Sequence, residues 1–134
     1  MPLALQIIRA REFIRLSPSG QFDLAASKAV LAQLARACRR RHIERAMLDL
    51  RDLQFGPTPQ FAPTDLMELV ETFHQIGFTP KQRLAVLYAV DPHHRARMFA
   101  FIGTRRGWHV RAFDHFEPAM LWLSEYLQPI RRRG

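Results

Sequence analysis

Residues 84–90, LAVLYAV, form an unbroken apolar run. A run of this length with no polar face reads as a strand covered on both sides. Such a strand needs helices packed over the sheet that holds it, which points to an α/β chain and not to an all-β or all-helical one. The surrounding sequence agrees. Helical periodicity and strand patterns alternate from residue 13 to the end, which implies a mixed, mostly parallel sheet.

The elements read in order as follows. LALQII (3–8) and FIRL (13–16) flank RARE and predict a hairpin or two consecutive edge strands. SPSG (17–20) is turn chemistry, with Pro18 fixing its φ and Gly20 free to take a positive one. Asp23 predicts a helix cap, followed by Leu24, Ser27, Leu31, Leu34 and Cys38 at helical spacing, with Val30 and Ala35 beside them. Arg39, Arg40 and Arg41 close that helix, where cations suit the negative end of its dipole. ERAMLDL (44–50) alternates as a strand, with Ala46, Leu48 and Leu50 on one face and Met47 and Asp49 on the other. The proline-rich stretch 54–63 resists regular structure, and a second helix is expected from Thr64, with Leu66, Leu69, Val70, Phe73 and Ile76 inward. After the apolar strand, Asp91-Pro92 signals the start of a third helix, which RRG (105–107) stops. WHVRAF (108–113) is a fifth strand. The last helix carries Phe116, Ala119, Met120, Leu123 and Leu127 on one face, Trp122 and Tyr126 on a neighbouring one, and ends at Pro129. The expected architecture is therefore one α/β domain over residues 1–134, with a single-layer sheet of about five strands, helices on its faces, and a basic tail at 129–134.

Composition limits the function classes. Hydrophobic residues at 48% and charged ones at 24% are ordinary for a globular chain. No run reaches the ~18 apolar residues of a membrane span, the N-terminus lacks a secretory pattern, and the single cysteine, Cys38, excludes an internal disulfide. These features predict a soluble, cytoplasmic protein. Cys38 lies on the core stripe of its helix and reads as a small buried residue. The formal net charge is +8, and all but Lys28 and Lys81 of the 20 basic residues are arginine. Helix ends account for the clusters at 39–41 and 105–106, and 131–133 is a tail. With no helix-turn-helix spacing and no aromatic-basic strand signature, nucleic-acid binding is not expected. Peripheral membrane contact through Trp122, Tyr126 and the arginine tail is the other use of this charge.

Candidate chemistry concentrates in YAVDPHHRARMFAFIG, residues 88–103. Adjacent His93 and His94 diverge on a helix, whereas a metal pair wants spacing of three or four, so no metal is expected. The helix start lies at the carboxyl end of a central strand, where open α/β sheets bind ligands. His93, His94, Arg97 and Phe101 are thus the candidate residues for an anion or other ligand. Glycines are too scattered for a phosphate loop, and no serine has the context of a nucleophile, so neither a cofactor nor catalysis is expected.

The segments LSPSGQFDLAASKAVLAQL, AMLDLRDLQ, PTDLMELV, RLAVLY and RAFDHFEPAMLWL, in this order, resemble STAS-type domains (the sulfate transporter and anti-sigma-factor antagonist fold), and more closely the SpoIIAA-like branch. The resemblance spans about residues 5–128. Its most distinctive element is Phe113, Phe116, Glu117, Ala119, Trp122 and Leu123. It implies a non-enzymatic regulatory module that binds a protein partner around the helix after the LDL strand, here Phe55, Phe61, Thr64, Asp65, Met67 and Glu68. In the family a serine at that helix start is phosphorylated to switch binding off. This chain has APTD there, so Thr64 is the nearest phosphoacceptor, and Thr64 also reads as the helix cap. SpoIIAA-like proteins resemble lipid carriers in fold, which implies an alternative role as carrier of a small apolar ligand. Phe55, Phe61, Phe101 and Trp122, in excess of the core stripes, would line its pocket or form a homodimer contact.

Overall fold

The computed structural model describes residues 3–8, 13–20, 23–54 and 61–125. β1 (Leu3–Ile8) and β2 (Phe13–Pro18) form the antiparallel hairpin expected from their sequence, with Leu3 opposite Pro18 and Ile8 opposite Phe13. α1 (Leu24–Arg41), β3 (Arg45–Asp49), α2 (Pro63–Ile76), β4 (Arg83–Leu87), a 3-10 turn (Pro92–His94), α3 (Arg95–Arg105), β5 (His109–Phe113) and α4 (Phe116–Ser124) follow. The five strands lie in chain order, and β2, β3, β4 and β5 are mutually parallel.

That order determines where the helices go. Parallel crossovers are right-handed, so three successive crossovers in one direction place α1, α2 and α3 on the same face of the sheet. The larger core lies there: Ile14, Leu16, Leu34, Leu48, Phe73 and Val86 are almost fully excluded from water. The opposite face is left to α4, whose Ala119, Trp122 and Leu123 cover Phe13, Met47, Ala85 and Leu87. β4 is covered from both sides and all five of its residues are buried, as its apolar run required.

The helix ends are fastened locally. Asp23 caps α1 by accepting the Ala26 N–H at 2.8 Å, an interaction generally worth about 1 kcal/mol. Gly77 ends α2 with φ +102°, a conformation that costs a residue without Cβ little. α4 is held at its carboxyl end by two arginines from adjacent strands. Arg83 donates to the Trp122 carbonyl at 2.6 Å and stacks 4.9 Å from the Trp122 ring, while Arg45 donates to the Glu125 carbonyl at 2.6 Å.

Four local expectations are corrected. β4 stops at Leu87, and Val90 is 61% exposed, because the chain leaves the sheet to form the turn at Asp91. α2 begins at Pro63 with Ala62 as its N-cap, so Thr64 is inside the first turn and does not cap it. α3 begins at Arg95, after two left-handed residues that cannot continue a helix. Trp122 is a core residue and not a surplus aromatic, since α4 alone must seal its face of the sheet. Phe55, Tyr126, Leu127, Pro129 and the arginine tail lie outside the described residues. Among those described, no helix is long and apolar enough to cross a membrane.

Candidate functional site

Parallel strands end on one edge, so the exits of β2, β3, β4 and β5 and the entrances of all four helices share the carboxyl edge of the sheet. Three arrangements of side chains occupy it.

The first is the entrance to α2. Pro63 takes the first helical position, where its missing N–H is harmless, and the Asp65 carboxylate accepts the Ala62 N–H at 2.8 Å. Thr64 and Met67 are therefore left facing solvent on a fixed turn, with Met67 39% exposed. Glu68 pairs with Lys28 of α1. Phe61 is half-buried against the larger core, and its carbonyl accepts Arg95 Nε at 2.7 Å.

The second is the turn that joins β4 to α3. His93 and His94 both have left-handed backbones, with φ of 62° and 55°, although neither is glycine. Each such residue costs on the order of 1 kcal/mol, and the neighbours over-determine the conformation. Asp91 accepts the N–H of Ala96 at 2.8 Å and of Arg97 at 3.2 Å, and the Arg97 Nε at 3.0 Å. The His94 N–H returns to the Asp91 carbonyl, and Arg95 donates to the carbonyls of both His93 and Phe61. Arg95 thus ties the entrances of α2 and α3 together. Asp91 also raises the pKa of Arg97, whose guanidinium lies 5.8 Å from the Tyr88 ring. The two imidazoles are exposed, but the helix N–H groups an anion would use are already bonded to Asp91. Phe101, one turn beyond Arg97, is 63% exposed with Arg105 over its ring. Among the described residues, no three His, Cys, Asp or Glu side chains are placed to hold a metal.

The third arrangement was missed in the sequence. Asp49, 3% exposed at the end of β3, accepts Arg15 at 2.6 and 3.1 Å. It also accepts the Arg51 backbone N–H at 3.1 Å and its side chain at 2.9 and 2.8 Å. Burial alone would push the carboxyl up, but the hydrogen bonds from Arg51 and Arg15 prevail and hold its pKa below the ordinary value. Both guanidiniums lie just under 6 Å from the Phe116 ring. The available signal was parity. Arg15 is a lone cation inside FIRL, and Asp49 shares a strand face with Met47, so both point at the α4 side.

Compared with protein-family models and with curated proteins, the sequence finds no match. Solved structures do match. The anti-sigma factor antagonist SpoIIAA in its unphosphorylated form aligns over 90% of this chain and 94% of its own, at 16% identity and a TM-score of 0.52. An uncharacterized DUF3478-family protein from Shewanella loihica, with a SpoIIAA-like fold, aligns over 91% and 92% at 13% identity and the same TM-score of 0.52. The fold is SpoIIAA-like. The architecture implied by the STAS resemblance is therefore present, including the β-hairpin start and the closing helix that carries Phe116 and Trp122.

Proposed function

We propose that this chain is a non-enzymatic regulatory module that binds a protein partner through the entrance of α2, residues 54–67, and the adjoining turn at Asp91. The observation that carries this reading is a helix entrance whose backbone is fixed by hydrogen bonds while apolar side chains beside it are exposed. Asp65, Pro63 and Arg95 fix the backbone, while Met67, Thr64 and, beyond β4, Val90 point to solvent. A rigid patch with exposed apolar side chains loses little conformational entropy when a partner covers it. The SpoIIAA-like fold supports the reading, because the SpoIIAA of known structure is an anti-sigma factor antagonist. Phosphate on Thr64 would sit at the positive end of α2 but beside Asp65, and would change what the patch can meet.

The test is site-specific photo-crosslinking in the native host, with the reactive group at Met67 or, as control, at the exposed Leu121 of α4. One discrete protein adduct from Met67 is expected, and Met67→Asp should then weaken binding of that purified partner at least tenfold. Adducts from Leu121 but not from Met67 would place the interface elsewhere. Native mass measurement of the purified chain is the companion experiment, since a retained non-protein mass would instead support an apolar-ligand carrier.

A further inference from the structure

The carboxyl edge collects the helix entrances, so the amino edge collects the exits of α1, α2 and α3. The three helices pack side by side with α2 between the others. At helix spacings of 8–10 Å their ends span about 20 Å. The arginine clusters that looked separate in the sequence meet here. Arg39 reaches from α1 to the Ile76 carbonyl at the end of α2, at 2.9 Å, and Arg106 reaches from α3 to Glu71 of α2, at 3.5 Å. Arg40, Arg41, Lys81 and Arg105 extend the same rim, all exposed, and none has an ion pair among the described residues.

Helix dipoles do not account for this much charge. Each carboxyl end presents about half a negative charge, roughly −1.5 for three helices. Against that stand six cations (Arg39–Arg41, Lys81, Arg105 and Arg106) and two carboxylates, Glu44 and Glu71, a formal excess of four. Asp23, Asp49, Asp65, Asp91 and Asp114 lie at the opposite edge, where cations are already paired, Arg15 and Arg51 with Asp49 and Arg97 with Asp91.

We infer that this rim binds the phosphate backbone of a nucleic acid. Guanidinium forks match phosphate oxygens, and the rim is wide enough to meet several phosphates spaced about 3.4 Å apart on a strand. A lipid surface fits less well, because membrane-surface binding also needs an apolar face to insert. Met67 and Val90 are at the other edge, Leu121 is on α4, and Phe101, 63% exposed beside Arg105, is a single apolar side chain and not an apolar face. The inference is independent of the regulatory reading, which concerns the opposite edge.

The experiment is fluorescence anisotropy of a labelled 20-base-pair duplex against the intact chain, from 50 to 200 mM salt. With about four phosphate contacts, log K should fall against log salt with a slope near −3.6. Arg41→Glu and Arg105→Glu, on different helices, should each weaken binding about tenfold at 100 mM salt and flatten the slope by roughly one unit. Ala25→Glu/Ala29→Glu, exposed on α1 far from the rim, makes the same change in net charge and should cost less than threefold. Circular dichroism confirms that each variant is folded. The inference fails if both rim variants bind like the parent or if the Ala25/Ala29 variant weakens binding as much. Binding only to anionic phosphatidylserine vesicles, with no duplex retained at 50 mM salt, would also overturn it.

Discussion

Replacing Asp49 by Asn tests the energetic reading of the carboxyl edge, because it removes one charge and keeps the side-chain shape. Asp49 is 3% exposed and its carboxylate receives five hydrogen bonds, four of them from guanidiniums. Removing one partner of a buried pair generally costs about 3–5 kcal/mol, because the remaining charge stays desolvated. Arg51 is 37% exposed and can recover water, which puts the expected loss at the low end, about 3 kcal/mol. An unfolding entropy of about 2.1 cal/mol/K per residue over 134 residues converts this to a fall in Tm of about 10 °C. The pH dependence has a definite sign. The folded pKa lies below the ordinary value of 3.8, so the unfolded chain binds the proton more readily. Asp49 therefore contributes stability that is present above pH 3.8 and is lost as pH falls through the lower folded value. Urea denaturation at pH 7 and at steps below pH 4 measures both effects. A loss under about 1 kcal/mol at pH 7, or an unchanged acid dependence in Asp49→Asn, would mean that the arginines do not depend on this carboxylate.

Two further outcomes follow from the same geometry. Asp91→Ala removes three acceptor contacts from the start of α3 and should cost about 1–2 kcal/mol in urea, with faster amide exchange at Ala96 and Arg97; unchanged exchange there would refute the capping role. Burial pushes the Cys38 thiol up to about 12, so it should resist Ellman's reagent in the native protein and react promptly in 6 M guanidinium; rapid native labelling at pH 8 would contradict the packing of α1.

The fold was legible where periodicity carries the information. The inward stripe of α1, from Ser27 through Leu31 and Leu34 to Cys38, and that of α2, from Leu66 to Phe73, are the residues the structure buries. The apolar run at 84–87 is the strand covered on both faces. Boundaries were less legible, because they depend on partners distant in sequence. Thr64 looked like a cap because it is a hydroxyl before a periodic run, yet the N-cap is Ala62, whose N–H donates to Asp65, and Arg95 anchors Phe61 from another helix. The excess aromatics divided for a similar reason. Trp122 is consumed by a sheet face that one helix must cover, while Phe101, at comparable apolar content, is left outside.

The DPHHR turn shows why local signals underdetermine a site. Read alone, Asp91-Pro92 starts a helix and the histidines decorate it. In the fold, Asp91 reaches past Pro92, His93 and His94 to cap a helix that begins at Arg95, and the histidines absorb the reversal in left-handed backbone. Histidine is among the residues enriched in that conformation, so the pair is suited to the turn before any question of chemistry arises. A helix-start motif, an adjacent histidine pair and an arginine one position on are thus parts of one backbone device, and Arg95 extends it to the entrance of α2. That coupling ties the two helix entrances together, so displacing Arg95 would loosen both at once.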